Sequence, residues 1–374
     1  SNTSWSKVRD LIGPEPASEE EIGLKLEAIM QLLNLNFRVA VNLDLARTLV
    51  EEGQAIADMI GNEGLKLQLS ILFSRILCGA GDLDGYVELA RTNLEKAKAT
   101  GDERLIMAAR VMVLDAGIYS CAYDEVIESS AEWAKDYPRD LPREQWATGV
   151  NPYTFHCFMA AAACGWTGRY DEAIEGFEKV TALVEEDGTH EVNVWVNFST
   201  CIFALCKGDH ELASKSASKL EKLCEETGGP LNMAHHYLVQ SELATYEERF
   251  DEAAEWARRA EDFFSRLDQH WEGFAIALHA NALLGKGDYG GAFAKADKAC
   301  QVARRCNVKP IVARSLALRA HAQLRRDGEA SLEQVTGDVR EAAQIIKDTQ
   351  SYAYYGNVEK AEKALAEFGV SQRA

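Results

Sequence analysis

The stretch "GRYDEAIEGFEKV", Gly168 to Val180, reads as a tight turn followed by an amphipathic helix. Eighty residues on, "ERFDEAAEWARRA", Glu248 to Ala260, repeats the same turn and helix pattern. Aligning on Tyr170 brings out the related turns "NLDLA" at Leu43, "GDLDGY" at Leu83, "CAYDEV" at Tyr123, "GDHELA" at His210, "ERFDEA" at Phe250 and "GDYGGA" at Tyr289. A degenerate copy, "DGEASL", lies near Glu329. The steps are 40, 40, 47, 40, 40, 39 and 40 residues, which makes eight units with one seven-residue insertion. A fixed period of this size is the mark of a stacked repeat architecture.

Each unit reads as a helical hairpin. In the fourth, Ala173, Ile174, Phe177, Val180 and Val184 fall on one helical stripe, while Asp171, Glu172, Glu175, Glu178 and Lys179 fill the other face. The preceding segment, "NPYTFHCFMAAAACGWTG", places small residues where two helices must approach closely. Gly168 supplies backbone freedom at a helix end, and Asp171 suits a helix N-terminus. One hairpin cannot bury its stripe alone, so successive units stack into a solenoid.

This pattern resembles the tetratricopeptide repeat (TPR). The matching residues are Ala161, Gly168, Tyr170, Ala173 and Phe177 in the fourth unit, and Ser241, Phe250, Ala253 and Ala257 in the sixth. The resemblance covers about residues 22 to 335 and is strongest in units four to seven. It implies an all-α, right-handed α-solenoid of about eight long hairpins, with Ala161 and Ala173 at a helix crossing. The family's usual period is 34 residues, and six more per unit lengthen the helices by ~9 Å in total. HEAT repeats, with a period near 40, are the structural alternative; the G-x-Y-D-E-A turn favours the tetratricopeptide reading. Unit-end phrases such as "KATGDERL", "EEDGTHE" and "CEETGGPL" also look like the C-terminal repeat region of bacterial signalling proteins that carry a class III nucleotide cyclase or a regulatory NTPase module. Nothing of a cyclase catalytic core is present in the sequence.

The organisation expected along the chain has five parts. Residues 1–21 are a lead-in, acidic and Pro-bearing, whose Ser1 and Asn2 look like an expression scar. Units one to three fill 22–134. An insertion at 135–151, "KDYPRDLPREQWATGVN", separates them from units four to eight at 152–335. Two capping helices occupy 336–374.

Composition narrows the function. The 374 residues carry 40 basic and 59 acidic side chains, a net charge of −19. That balance argues against nucleic acid and anionic membrane, whose phosphates need Lys and Arg. The nine cysteines form no C-x-x-C pair and read as small buried hydrophobes in a reducing cytoplasm. The longest uncharged run, Gln145 to Gly168, is interrupted by polar residues and belongs to the repeat, so no transmembrane helix is expected.

Motifs of chemistry are sparse. "GKGDYG", Gly285 to Gly290, spells G-x-G-x-x-G, but it follows a helix and falls in register with the repeat turn, whereas a dinucleotide site needs a preceding strand. His235 and His236 are adjacent on a helix and point about 100° apart. No catalytic residue, cofactor or metal site is expected. Arg304, Arg305, Lys309, Arg314, Arg319, Arg325 and Arg326 form a basic cluster that reads as a dock for an acidic partner or as a solvated face.

The most informative contrast lies between the two helices of a unit. The first-helix windows 152–167, 190–206, 230–246 and 269–285 hold only three charges, Glu191, Glu242 and Glu272, in a chain that is 26% charged. They carry aromatics and imidazoles instead. The resemblance implies that first helices line the concave, peptide-binding face. Phe155, Phe158, Trp195, Phe198, His235, Tyr237, Trp271, Phe274 and His279 are therefore the candidate groove for a ligand or partner, with Phe155, Trp195, His235 and Phe274 as a ladder at equivalent places. An aromatic, charge-poor concavity suits an apolar peptide, a partner helix or a small hydrophobic ligand. The competing reading is plain packing between long helices. The expected function is a non-catalytic interaction or sensor module: either the regulatory repeats of a larger signalling enzyme, with an upstream catalytic domain of the same polypeptide as partner, or a free-standing peptide-binding scaffold.

Overall fold

A computed structural model describes residues 2–14, 16–39, 41–146, 149–188, 190–267 and 269–371. Ser1 lies outside them. The described residues are helical throughout, with no strand. A leading helix α1 (Asn2–Ile12) is followed by eight hairpins: α2 (Glu19–Val39) with α3 (Leu43–Met59), α4 (Glu63–Gly79) with α5 (Leu83–Thr100), α6 (Glu103–Tyr119) with α7 (Tyr123–Trp133), and α8 (Pro152–Trp166) with α9 (Tyr170–Asp187). The array continues through α10 (His190–Lys207) with α11 (His210–Thr227), α12 (Pro230–Tyr246) with α13 (Phe250–Leu267), α14 (Gln269–Lys286) with α15 (Tyr289–Arg305), and α16 (Lys309–Asp327) with α17 (Leu332–Thr349). Helix α18 (Tyr355–Ser371) follows.

The repeat register has a backbone cause. The residue two places before each of six second helices takes a left-handed conformation: Gly81, Cys121, Gly168, Gly208, Glu248 and Gly287. At Gly168 the turn is closed by the Gly168 amide on Gly165 O (3.1 Å) and the Arg169 amide on Cys164 O (2.9 Å). Those bonds satisfy carbonyls that the end of α8 leaves open. Cys121 and Glu248 hold the same conformation with a side chain, at a cost of about 1–2 kcal/mol each.

Small residues set the crossing inside each hairpin. Ser241 Oγ donates to Ala253 O at 3.0 Å, which joins α12 to α13 where the sequence pattern puts the crossing. In the fourth unit a Cβ added at Gly176 would lie 2.7 Å from Ala161 Cβ, so α8 and α9 approach closely there, one turn beyond Ala173. Between units, Phe177 of α9 stacks on Phe203 of α10 with centroids 6.1 Å apart.

The stack also closes on itself. Helix α2 touches α12 and α13, and α4 touches α14, so each early unit meets the unit five places on. Asn307 Nδ2 donates to Asp84 Oδ1 across this seam at 2.7 Å. Small rotations repeated at every unit produce such curvature.

The lead-in and the far end differ from the expected organisation, while the insertion falls between α7 and α8. The lead-in contains α1, which packs on α2, and Arg9 holds Glu52 of α3 through Nε (2.9 Å) and Nη2 (2.5 Å). The insertion ends α7 early, yet α8 still packs on both α6 and α7, so the stack runs on past it. Its prolines, Pro138 and Pro142, lack the amide that a continuing helix needs. At the far end α17 begins at Leu332 rather than near 329, after a 3-10 turn over Gly328–Ser331. It then completes the eighth hairpin across the expected 335 boundary, which leaves α18, docked on α16 and α17, as the cap.

Candidate ligand-binding cavity

The first helices of all eight units face one central cavity of about 870 Å³. Its lining runs from the first turn to the last of α6, Arg104 to Tyr119, a depth of ~22 Å at helical rise. Lining residues that are exposed, Asn62, Asp102, Arg104 and Gly149, mark a polar mouth at the N-terminal ends of α4, α6 and α8. Trp166 and Tyr354 stand at the opposite end.

Seven of the nine sequence candidates meet here: Phe155, Phe158, Trp195, Phe198, His235, Trp271 and Phe274. Their rings form a spine of two clusters, one around Trp195 and one around Trp271. Phe155 and Phe158 lie 6.2 and 6.0 Å from Trp195. Phe198 is 5.1 Å from His235, His235 is 5.5 Å from Trp271, and Trp271 is 5.6 Å from Phe274. Phe155, Phe158, Phe198, His235 and Phe274 are buried, whereas Trp195 and Trp271 are half-buried. The spacing explains the grouping, because residues three apart share a helix face.

Tyr237 and His279 lie elsewhere, and helix geometry gives the reason. At 100° per residue, Tyr237 sits about 200° around from His235. It stacks on Trp256 at 5.7 Å. His279, five residues after Phe274, points about 140° away. Its Nδ1 meets Glu261 at 3.1 Å, in a cluster with Lys295 and Lys298. Burial alone would raise the Glu261 carboxyl, but these partners outweigh it and hold the group down at about 2.

Sequence reasoning missed a polar centre on the early units. Arg75 of α4 lines the cavity, with Nε 3.2 Å from Asp115 and Nη2 donating to Tyr119 Oη at 3.4 Å. Tyr86 Oη donates to the same carboxylate at 2.7 Å. Burial, reinforced by the Arg75 charge, pushes His235 down to about 4 and His270 to about 3. Both imidazoles are neutral near pH 7 and present weakly polar edges to the cavity. The one hint in the sequence was a lone charge, Arg75, late in the otherwise uncharged run "LQLSILFSRILCG".

Other motifs resolve into structure. A Cβ on Gly285 would lie 2.2 Å from the Phe250 ring, and Gly287 is left-handed, so these glycines serve helix packing and the turn. Five of the seven residues of the basic cluster, Arg304, Arg305, Arg314, Arg319 and Arg326, pair with acidic side chains of this chain. Arg314 pairs with Glu242 (2.6 Å), Arg319 with Asp297 (2.6 Å) and Asp338 (2.8 Å), and Arg304 with Glu341 (2.5 Å). His236 faces Trp256 (5.6 Å) while His235 faces the cavity. Among the described residues no three His, Cys, Asp or Glu side chains gather as metal ligands. No described helix is long and apolar enough to cross a membrane.

No family model matches the chain, and no curated protein matches it. Among solved structures it is similar to a Rap protein crystallised with competence and sporulation factor, at 13% identity and a TM-score of 0.55, over 94% of this chain and 100% of that one. It is also similar to a tetratricopeptide repeat protein from Parabacteroides merdae (13% identity, 77% and 98% covered, TM-score 0.42). A third is a signal-transduction ATPase of the STAND class with a tetratricopeptide repeat sensor, from Pyrococcus horikoshii (12% identity, 97% of this chain but 55% of that one, TM-score 0.44). The Rap likeness spans both chains almost entirely and shows a shared helical-repeat solenoid fold.

Proposed function

We propose that this chain is a non-catalytic sensor module that takes a short apolar peptide into its axial cavity. The observation that carries the reading is the enclosure of one 870 Å³ space by the first helices of all eight units, with an aromatic spine along it. That volume falls within the ~300–1,000 Å³ usual for small-ligand sites. A segment of a few residues fits, with apolar side chains on the spine and its polar backbone toward Arg75, Asp115 and the neutral imidazoles. The Rap protein crystallised with a bound factor supports this by fold analogy alone.

The wider setting is part of the proposal. The repeat region serves a larger bacterial, cytoplasmic signalling enzyme of the cyclase type, with ligand occupancy biasing an upstream domain. A free-standing peptide-binding scaffold is the alternative. The native open reading frame separates the two, since a catalytic domain encoded upstream of residue 1 decides for the first.

The cavity reading is tested with a panel of capped tri- to hexapeptides bearing apolar and aromatic side chains. Tryptophan fluorescence and thermal melting of the full chain are followed. At least one peptide is expected to raise Tm and change the emission, and Phe155→Ala is expected to abolish both effects. A panel that moves neither readout, or effects unaltered by Phe155→Ala, contradicts the reading.

A further inference from the structure

Between α17 and α18 the chain makes a short inward excursion, Ser351 to Tyr354. Helices at a solenoid end need only a turn to connect. Here Gln350 is forced left-handed (φ 56°), an uncommon state for a residue with a side chain, and the tip it aims enters the superhelix.

The tip is held as peptides are held, by side chains that address its backbone. Tyr170 Oη donates to Tyr352 O at 3.4 Å, and Cys206 Sγ donates to Ala353 O at 3.3 Å. Ser351 Oγ pairs with Tyr123 Oη at 3.0 Å. The Tyr354 ring lies 5.4 Å from Trp166 and 6.1 Å from Phe274, with the Arg314 guanidinium 5.1 Å from its centroid. Gly168 leaves room, since a Cβ there would come within 3.1 Å of Tyr352 Cβ. Ser351 and Tyr354 are buried, at 0% and 4% exposure, while Tyr352 is exposed. Six helices from units three to eight contribute to this seat, and Tyr354 closes one end of the central cavity.

The geometry points to a peptide subsite that is occupied in cis: residues 351–354 are an intramolecular ligand and plug the closed end of the channel. The external occupant is a short peptide that offers two successive backbone carbonyls and a tyrosine beside them. A tethered segment competes at an effective concentration near the millimolar range, so an outside peptide gains access when the tip is weakened or displaced. This inference goes beyond the cavity reading and stands on a different set of contacts.

The test uses a fluorescein-labelled peptide of residues 350–356 and fluorescence anisotropy with the full chain. The Tyr354→Ala chain is expected to bind it at least tenfold more tightly than the unaltered chain, and a peptide carrying Tyr354→Ala is expected not to bind. Should Tyr354→Ala fail to fold by circular dichroism, Tyr354→Leu keeps the apolar volume and gives the same comparison. Equal affinities, or no binding by the folded variant, overturn the proposal. That failure is distinct from failure of the cavity reading, which appears as a peptide panel inert toward the unaltered chain.

Discussion

The rings of Tyr119 and His270 meet edge to face with centroids 4.2 Å apart, although one ends the third unit's first helix and the other begins the seventh's. Tyr119 also faces Trp271 at 6.5 Å. Aromatic pairs of this geometry contribute ~0.5–1.5 kcal/mol beyond their buried area. They clasp one convolution of the solenoid to the next, and the clasp turns an open groove into a cavity.

Tyr119→Ala should therefore loosen the closure without unfolding the units. We expect a loss of ~1–3 kcal/mol in denaturant unfolding and a larger radius of gyration by small-angle X-ray scattering. Asn307→Ala, at the exposed seam bond to Asp84, should cost under ~1 kcal/mol. An unchanged radius of gyration in a destabilised Tyr119→Ala chain would assign the ring to local packing alone.

Gly285→Ala sets two effects against each other. Helix propensity favours Ala by ~1 kcal/mol. The new methyl would meet the Phe250 ring at 2.2 Å, and overpacking costs ~1–3 kcal/mol. The second effect should win, with net destabilisation on urea unfolding and no loss of helical circular dichroism. A stabilised variant would mean that Phe250 yields freely.

Acid should destabilise the protein through its buried imidazoles. His156 is pushed down to about 4 by burial, as His235 is to about 4 and His270 to about 3. Unfolded, each titrates near 6.5. The unfolded state therefore binds more protons below pH 6.5, and stability falls as pH falls. The stabilisation is fully present above about pH 6.5 and drains away down to about pH 4 for His156 and His235 and about pH 3 for His270. At 1.36 kcal/mol per pH unit, His156 and His235 each contribute at most roughly 3 kcal/mol and His270 at most roughly 5 kcal/mol. His270→Gln should flatten this slope in melts at several pH values; a slope unaltered by it would count against the buried neutral imidazole.

Much of this fold was legible in the chain, and the illegible parts share a cause. The residues that aligned the repeats, from Leu43 to Tyr289, each begin a second helix, because a left-handed turn and a small-residue crossing impose local demands on sequence. The eighth turn slipped to Leu332, since "DGEASL" lacks that turn chemistry and folds as a 3-10 segment. Phe155 with Phe158, and Trp271 with Phe274, were legible as same-face pairs. Tyr237 and His279 share the composition of the spine but not its helix angle, and they point elsewhere. Arg75 showed only as a lone charge, and Tyr119 and Tyr354 were invisible because they meet the rings of His270 and Trp166 only after about four units of accumulated curvature, which no single unit encodes. The inward tip depends on Gln350 adopting a conformation that its residue type disfavours.

Trp195 decides the central claim, that the cavity is a ligand site rather than packing space. It is half-buried, lines the cavity and touches Phe155 and Phe158. The decisive measurement is calorimetric titration of the unaltered and Trp195→Ala chains with the tightest peptide of the panel, paired with urea unfolding of both. We predict one site per chain and a loss of ~2 kcal/mol or more in binding, about thirtyfold, on truncation. The unfolding loss should stay well below the ~3–5 kcal/mol of a core aromatic. A stability loss of that full size with affinity unchanged in the folded fraction would contradict the account and leave Trp195 as core.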